Sequence, residues 1–122
     1  KKVNTTWEMA SLFANLINNA VRYTPAEGHI KVVWHATKDG ARFCISDTGP
    51  GIAAKHIPHL TERFYRVDVD RSRESGGTGL GLAIVKHVLE RHDGKLTITS
   101  ELGKGSMFEC FFPANRIFHY SR

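Results

Sequence analysis

Asn15, Asn19 and Arg22 fall four and three residues apart, a spacing that gathers them on one face of a helix. An amide oxygen is a neutral, hard donor that suits Mg²⁺, an ion that takes few protein ligands and completes its shell with phosphates and water. Arg22 adds a guanidinium able to neutralise a phosphate oxygen. The same stripe would also serve as a solvated helix face. Asparagine is a modest helix former, however, so the tandem Asn18-Asn19 asks for a reason.

A second group is Asp47-Thr48-Gly49-Pro50-Gly51. A carboxylate at a strand end can accept a hydrogen bond from an exocyclic amine, which adenine presents where guanine has a carbonyl oxygen. Facing that oxygen, a buried carboxylate would be unpaired, at a cost of about 1–3 kcal/mol. The two glycines would let backbone approach the ring; an ordinary turn has the same composition. A third group, Gly76-Gly77-Thr78-Gly79-Leu80-Gly81-Leu82, runs into an apolar-periodic segment. Bare backbone N–H groups beside the positive end of a helix make a place for phosphate, although a flexible linker is also rich in glycine. No buried strand precedes it, so it is not a dinucleotide fingerprint. Nor is Gly103-Lys104-Gly105-Ser106 a Walker P-loop, because neither Ile98 nor Thr99 supplies the leading glycine. Between the second and third groups lies Glu62-Arg63-Phe64-Tyr65-Arg66. Its aromatics could anchor a mobile loop whose closure brings Arg66 to a terminal phosphate, or could simply pack locally.

The elements that must hold these residues are legible from periodicity. Thr5 and Glu8 fit a capping box, and Met9, Leu12, Phe13, Leu16, Ile17, Ala20 and Val21 form an apolar helical stripe that Pro25 should end near Tyr23. Strands are predicted with Ile30, Val32 and Trp34 on one face, then with Phe43 and Ile45 inward up to Asp47. A short helix over Ala53 to Leu60 should be interrupted near Pro58. The polar stretch Val67 to Thr78 lacks an apolar period and is expected to be a mobile surface loop. A helix from about Leu80 to His92, with Leu82, Val85, Val88 and Leu89 inward and Gly94 as its stop, precedes strands at Leu96–Ile98 and Phe108–Phe112. That order predicts an α+β fold, a two-layer α/β sandwich with helices on one face of a mixed or antiparallel sheet.

Size and composition fit that plan. The 122 residues suffice for one core, and no apolar run approaches a membrane span. A net charge of +5 favours anionic partners, but the basic residues are scattered and do not alternate with aromatics as in a single-strand binder. Net charge alone would support a nucleic-acid reading. Cys44 and Cys110 lack metal-ligand spacing and are expected to be two buried thiols in a reducing compartment.

In this order and at this spacing, the four groups resemble the catalytic ATP-binding domain of sensor histidine kinases, over about Leu12 to Pro113. Asn15-Leu16-Ile17-Asn18-Asn19-Ala20 resembles the asparagine box, and Asp47 to Gly51 the first glycine box. Glu62 to Arg66 resembles the phenylalanine box, and Gly77 to Leu82 the second glycine box. The run Leu60 to Asp68 looks most like the phosphate-regulon branch of that family. The resemblance implies the Bergerat fold, with a mixed sheet and a flexible ATP lid over roughly Val67 to Thr78. It implies Mg²⁺ on Asn19 with Asn15 beside it, Arg22 at phosphate, and Tyr23 stacked near adenine. Asp47 would take the adenine amine, with Gly49, Gly51 and Ile52 along that pocket and Ser106 close to the base. Phe64 would sit at the lid's base and Arg66 would assist γ-phosphate transfer. Gly77, Thr78, Gly79, Leu80, Gly81 and Leu82 would wrap the phosphates.

The same resemblance implies a domain over residues 8–115, flanked by a linker or remnant at 1–7 and a tail at 116–122. It implies a cytoplasmic unit of an inner-membrane sensor kinase, whose membrane tether lies outside it. The expected partners are ATP, a dimerisation and histidine phosphotransfer domain of the same kinase, and a response regulator, with no direct nucleic acid. None of the seven histidines has the His-Glu context of a phospho-acceptor; His56, His59 and His92 read as surface or helix residues. Two rivals share the fold: an ATP-hydrolysing relative and a degenerate nucleotide-binding interaction module. Hydrolytic relatives place a glutamate four residues before the metal-binding asparagine. Here that slot is Asn15, which cannot take a proton at neutral pH.

Overall fold

The computed structural model describes residues 5–67 and 80–114. Helix α1 (Thr5–Tyr23) is followed by strands β1 (Ile30–Thr37) and β2 (Gly40–Asp47), a 3₁₀ helix (Ala54–His59), helix α2 (Gly81–Arg91), and strands β3 (Lys95–Glu101) and β4 (Gly105–Pro113). The strands form one sheet in the order β1-β2-β4-β3, and every pairing is antiparallel. Of the two sheet types expected, the mixed one is therefore not what these four strands form. β4 returns between β2 and β3, so the two sequence-local hairpins join through their second strands.

Alternation fixes which face is covered. Phe43 and Ile45 of β2 share a face with Phe108, Cys110 and Phe112 of β4. Leu12, Leu16 and Ala20 of α1 and Val85, Val88 and Leu89 of α2 close on that face, and all are buried. Ile98 and Leu96 of β3 pack at the margin. The apolar stripe of α1 is narrower than its sequence suggests: Ile17 and Val21 are exposed. All of β1, an edge strand of the sheet, is exposed as well. Trp34 keeps its ring within about 6 Å of Phe13, Phe43 and Phe112 while remaining 55% exposed.

One local expectation holds in detail and two others are corrected. α2 ends in the paired 6→1 and 5→2 bonds of a Schellman turn, Gly94 N–H to Leu89 O at 2.7 Å and Asp93 N–H to Glu90 O at 3.2 Å. The left-handed residue in that turn is Asp93 (φ 59°), not Gly94. The thiols also differ from each other. Cys110 lies in the core, where burial pushes its thiol up to about 12, whereas Cys44 points to the opposite face of the sheet and is half-buried. Both are free. The 3₁₀ helix runs unbroken from Ala54 to His59 with Pro58 inside it, so the interruption expected near Pro58 does not occur.

Leu16 is 1% exposed at the centre of this interface. Leu16→Ala is expected to lower unfolding stability by about 2–5 kcal/mol, read as a shift of the urea midpoint at unchanged slope. Val33→Ala on the exposed edge strand should cost less than about 1 kcal/mol.

Candidate functional site: an open cleft between the helices and the end of the sheet

The polar face of α1 borders an open cleft of about 1020 Å³, at the upper end of the roughly 300–1,000 Å³ common for small-molecule sites. Because Leu12, Leu16 and Ala20 are locked in the core, the helix phase is fixed, and Asn15, Asn19 and Arg22 must line the cleft together. Asn18, set aside in the sequence as an unexplained neighbour, lines it as well. Asn15 is held by its amide nitrogen, which donates to Ser11 O at 2.8 Å. Its oxygen is thereby turned to the amino end of α2: a Cβ built on Gly81 would come within 3.0 Å of Asn15 Oδ1. An amide from the first helix and the start of the second thus meet at the same cleft.

Asp47 closes the cleft from the sheet. Its Oδ1 accepts from Gly49 N–H at 2.8 Å, an Asx turn that fixes the carboxylate and leaves acceptor capacity on the second oxygen. The glycines that follow are required first by the protein itself. A Cβ on Gly49 would meet Tyr23 O at 2.6 Å, and one on Gly51 would meet Glu101 O at 2.2 Å. Gly51 also has φ 79°. The loop is clipped to the β3–β4 hairpin: Gly103 N–H donates to Pro50 O at 2.8 Å, and Ile52 N–H to Ser100 Oγ at 2.7 Å. Ser100 Oγ in turn reaches Gly105 O and Ser106 Oγ. Ser106, directly opposite Asp47 in the register, is buried at the cleft wall.

The floor is apolar. Ile52 was expected along this pocket and Leu82 at the phosphates, and both line the cleft; Leu60 and Phe108, both buried, were not singled out as site residues. Phe108 follows Ser106 by two residues and so shares its face, a signal the alternation of β4 already carried. Thr48, also missed, lines the cleft while its Oγ1 accepts from His29 N–H at 2.8 Å. Tyr23 lines the mouth, with the Arg22 guanidinium 6.0 Å from its ring. The phenylalanine-box stretch divides. Arg66 and Tyr65 line the cleft, whereas Phe64 does not. It stands 63% exposed at φ 69°, with Arg63 over its ring. Leu80, which precedes α2 and acts as its N-cap, is likewise not among the lining residues. Gly77, Thr78 and Gly79, and all but Val67 of the expected lid, lie outside the described residues.

This geometry agrees with sequence comparison. The family described as histidine kinase-, DNA gyrase B-, and HSP90-like ATPase matches residues 7–116. The chain belongs to that ATPase family. Within it, the chain is 58% identical over 105 residues to the phosphate regulon sensor protein PhoR of Pseudomonas aeruginosa, covering 86% of this chain and 24% of the relative. It is 47% identical over 106 residues to PhoR of Haemophilus influenzae, covering 87% and 25%, and 46% identical to the sensor histidine kinase RppB of Synechocystis, covering 87% and 23%. The chain therefore spans about a quarter of the length of these curated relatives. Among solved structures, a mycobacterial sensor histidine kinase, MprB, superposes with TM-score 0.74 at 30% identity, covering 87% of this chain and 72% of that one. Full-length ShkA, solved in complex with AMPPNP, superposes with TM-score 0.73 at 32% identity, covering 88% and 22%. The family assignment and the phosphate-regulon likeness expected from the sequence both hold.

In this ATPase domain the loop after β2 depends on Gly51. Gly51→Ala combines a left-handed backbone with a Cβ placed on Glu101 O, so it is expected to destabilise the fold by about 2 kcal/mol or more. A thermal melt should fall by roughly 4–8 °C for each kcal/mol lost.

Proposed function

We propose that this domain binds ATP with Mg²⁺ and donates the γ-phosphate to a histidine on a separate dimerisation domain, as the catalytic step of two-component signalling. The observation that carries the reading is the meeting, in one cleft, of Asn15 and Asn19 from α1 with the amino end of α2 at Gly81. The apolar floor of Ile52, Leu82 and Phe108 suits a flat base, and Asp47 at its edge suits that base's exocyclic amine. This end of the cleft therefore favours adenine over guanine. Arg22 and the positive end of α2 suit the phosphates, with Tyr23 and Ser106 beside the base. Residues 77–80 would extend the phosphate cradle from the α2 side.

The donor set fits a metal that arrives with its nucleotide. Among the described residues, no three His, Cys, Asp or Glu side chains are grouped to hold an ion. Asn19 instead offers an amide oxygen, which is enough for Mg²⁺ once phosphates and water supply the rest of its shell. When bound, Mg²⁺ neutralises charge on the phosphates. The chain's own residues do the remainder. Asn15 stands beside Asn19, and Arg66 at the cleft offsets the charge that spreads over the equatorial oxygens as the acceptor histidine nitrogen bonds to the γ-phosphorus and the bond to the ADP oxygen breaks. Asp47 is the one carboxylate among the described lining residues and is engaged by Gly49. Asn15 cannot serve as a base for water, so transfer to histidine is favoured over hydrolysis. The phosphate then passes to an aspartate of a response regulator.

The whole protein is read as a membrane sensor kinase of the phosphate-regulon type, with residues 8–115 as its cytoplasmic catalytic domain. No helix of the described residues is long and apolar enough to cross a membrane, so a tether would come from elsewhere in that protein. No direct contact with nucleic acid is part of this reading.

The test is to incubate the domain with γ-labelled ATP, Mg²⁺ and a separately made histidine-bearing domain. Label on histidine is expected. Free phosphate alone would point to an ATPase, and bound ATP with neither product would point to a degenerate nucleotide-binding module. Asn19→Ala should lower transfer by about 100-fold or more with an unchanged circular dichroism spectrum; undiminished transfer would remove the metal assignment. Asp47→Asn should weaken ATP binding about tenfold or more. Equal affinity of the unsubstituted domain for ATP and GTP would remove the selective role of Asp47.

A further inference from the structure

One cluster of ring side chains sits at the margin of the cleft. The 3₁₀ helix carries His56 and His59, neither of which lines the cleft. His56 Nδ1 and the Tyr65 hydroxyl are 2.6 Å apart in a partly buried contact, with ring centroids 5.9 Å apart. His59 stacks on the same phenol at 5.4 Å and 28°, and its Nδ1 meets Glu62 Oε2 at 2.7 Å. The chain between folds back tightly: Glu62 N–H donates to His59 O at 2.9 Å and Tyr65 N–H to Glu62 O at 3.1 Å. To turn there, Phe64 adopts φ 69°, a conformation that a bulky side chain resists. Tyr65 and Arg66 are then delivered to the cleft.

We infer that His56 is a positioning residue: by holding the Tyr65 hydroxyl, it keeps the reversed backbone in place and sets Arg66 at the cleft. The inference rests on the reading above, in which Arg66 meets the transferring phosphate. Phe64 contributes little to holding the turn, since its own side chain faces solvent. The hold comes from Tyr65, pinned at its tip by His56 and across its face by His59, with Glu62 steadying His59. The hydroxyl and Nδ1 can share a proton in either sense, so the contact persists whichever atom donates. Its loss frees the reversal to relax, and a displacement of about 1 Å at a group acting on the reacting centre can lower a rate by about 100-fold.

The experiment measures transfer from ATP to the histidine-bearing domain for the unsubstituted chain, Tyr65→Phe, His56→Ala, the double variant and His56→Asn. Tyr65→Phe keeps the ring stack and removes only the hydroxyl. It and His56→Ala are each expected to lower kcat about tenfold and to change KM for ATP by less than about twofold. The double variant should be no worse than either single one, because both remove the same contact. His56→Asn, whose amide lies near the place of Nδ1, should recover most of the rate. An unchanged kcat in Tyr65→Phe, or losses that multiply in the double variant, overturns the inference while leaving the kinase reading intact. If the unsubstituted chain transfers nothing, the kinase reading fails. The positioning claim is then decided by the imidazole nitrogen resonances of His56: Tyr65→Phe must shift them if the contact is made, and unshifted resonances overturn it.

Discussion

The phase of α1 is the constraint on which the site depends. Leu12, Leu16 and Ala20 are pressed between α2 and the inner face of β2 and β4, so the helix can neither rotate nor slide without opening the core. Asn15 and Asn19 are bolted to the same rod, about 100° of helical turn away from the buried stripe. Their direction is set by hydrophobic packing and not by any contact of their own with a ligand. Asn15 adds a reciprocal link. Its nitrogen bonds back to Ser11 O and its oxygen abuts Gly81, so the approach of α2 to α1 is tuned at the point where phosphate is proposed to bind. Even a methyl group at position 81 would crowd Asn15 Oδ1 and shift that side chain.

The opposite wall is built differently. No helix stiffens the Asp47–Ile52 loop, and its rigidity comes from being tied to a distant hairpin. Ser100 is the knot. It accepts from Ile52 N–H, reaches the Gly105 carbonyl, and shares a hydrogen bond with Ser106, while Gly103 N–H secures Pro50 O. The strand register places Ser106 across from Asp47, so the carboxylate and the buried hydroxyl are fixed with respect to each other by the sheet. Glycine at positions 49 and 51 is what allows this loop to lie flat against Tyr23 O and Glu101 O. The sequence suggested close approach of backbone to a ligand. In the structure those glycines first admit close approach of backbone to backbone, and the pocket is a consequence.

Much of this was legible because period and punctuation agreed. The stripe Leu12-Leu16-Ala20, the inward pairs Phe43/Ile45 and Phe108/Cys110/Phe112, and the breaks at Pro25 and Gly49 each placed an element with its core face correct. What escaped the sequence was relational. Ile30, Val32 and Trp34 alternate as a covered strand would, yet β1 is an exposed edge, because alternation reports a face and not a neighbour. All-antiparallel pairing could not be separated from a mixed sheet, since strand order depends on which hairpins join. Leu60 joins the cleft floor because the 3₁₀ helix before it packs back against β3, a contact no local pattern encodes. Phe64 and Tyr65 both read as anchoring aromatics of their stretch, but Phe64, on a left-handed backbone, is exposed, and only Tyr65 lines the cleft. α2 stops at Gly94 as expected, but the left-handed residue of its turn is Asp93, a role an acidic residue with a short side chain tolerates.

The cleft is also divided chemically, and the division follows from chain order. Cationic and dipolar groups come from Arg22 in the last turn of α1, the amino end of α2, and Arg66 in the segment that follows the 3₁₀ helix. The one carboxylate among the described lining residues comes from the end of a strand, with apolar side chains at its foot. A ligand with a flat, amine-bearing end and a polyanionic end can satisfy both halves in only one orientation, because reversing it would set phosphate against Asp47 and leave the guanidinium groups facing a ring. In a partly enclosed cleft such a mismatch is screened less than at an open surface. Orientation is thus dictated before any catalytic group acts. That ordering suits a transferase, in which the reactive end must emerge where a second macromolecule can reach it.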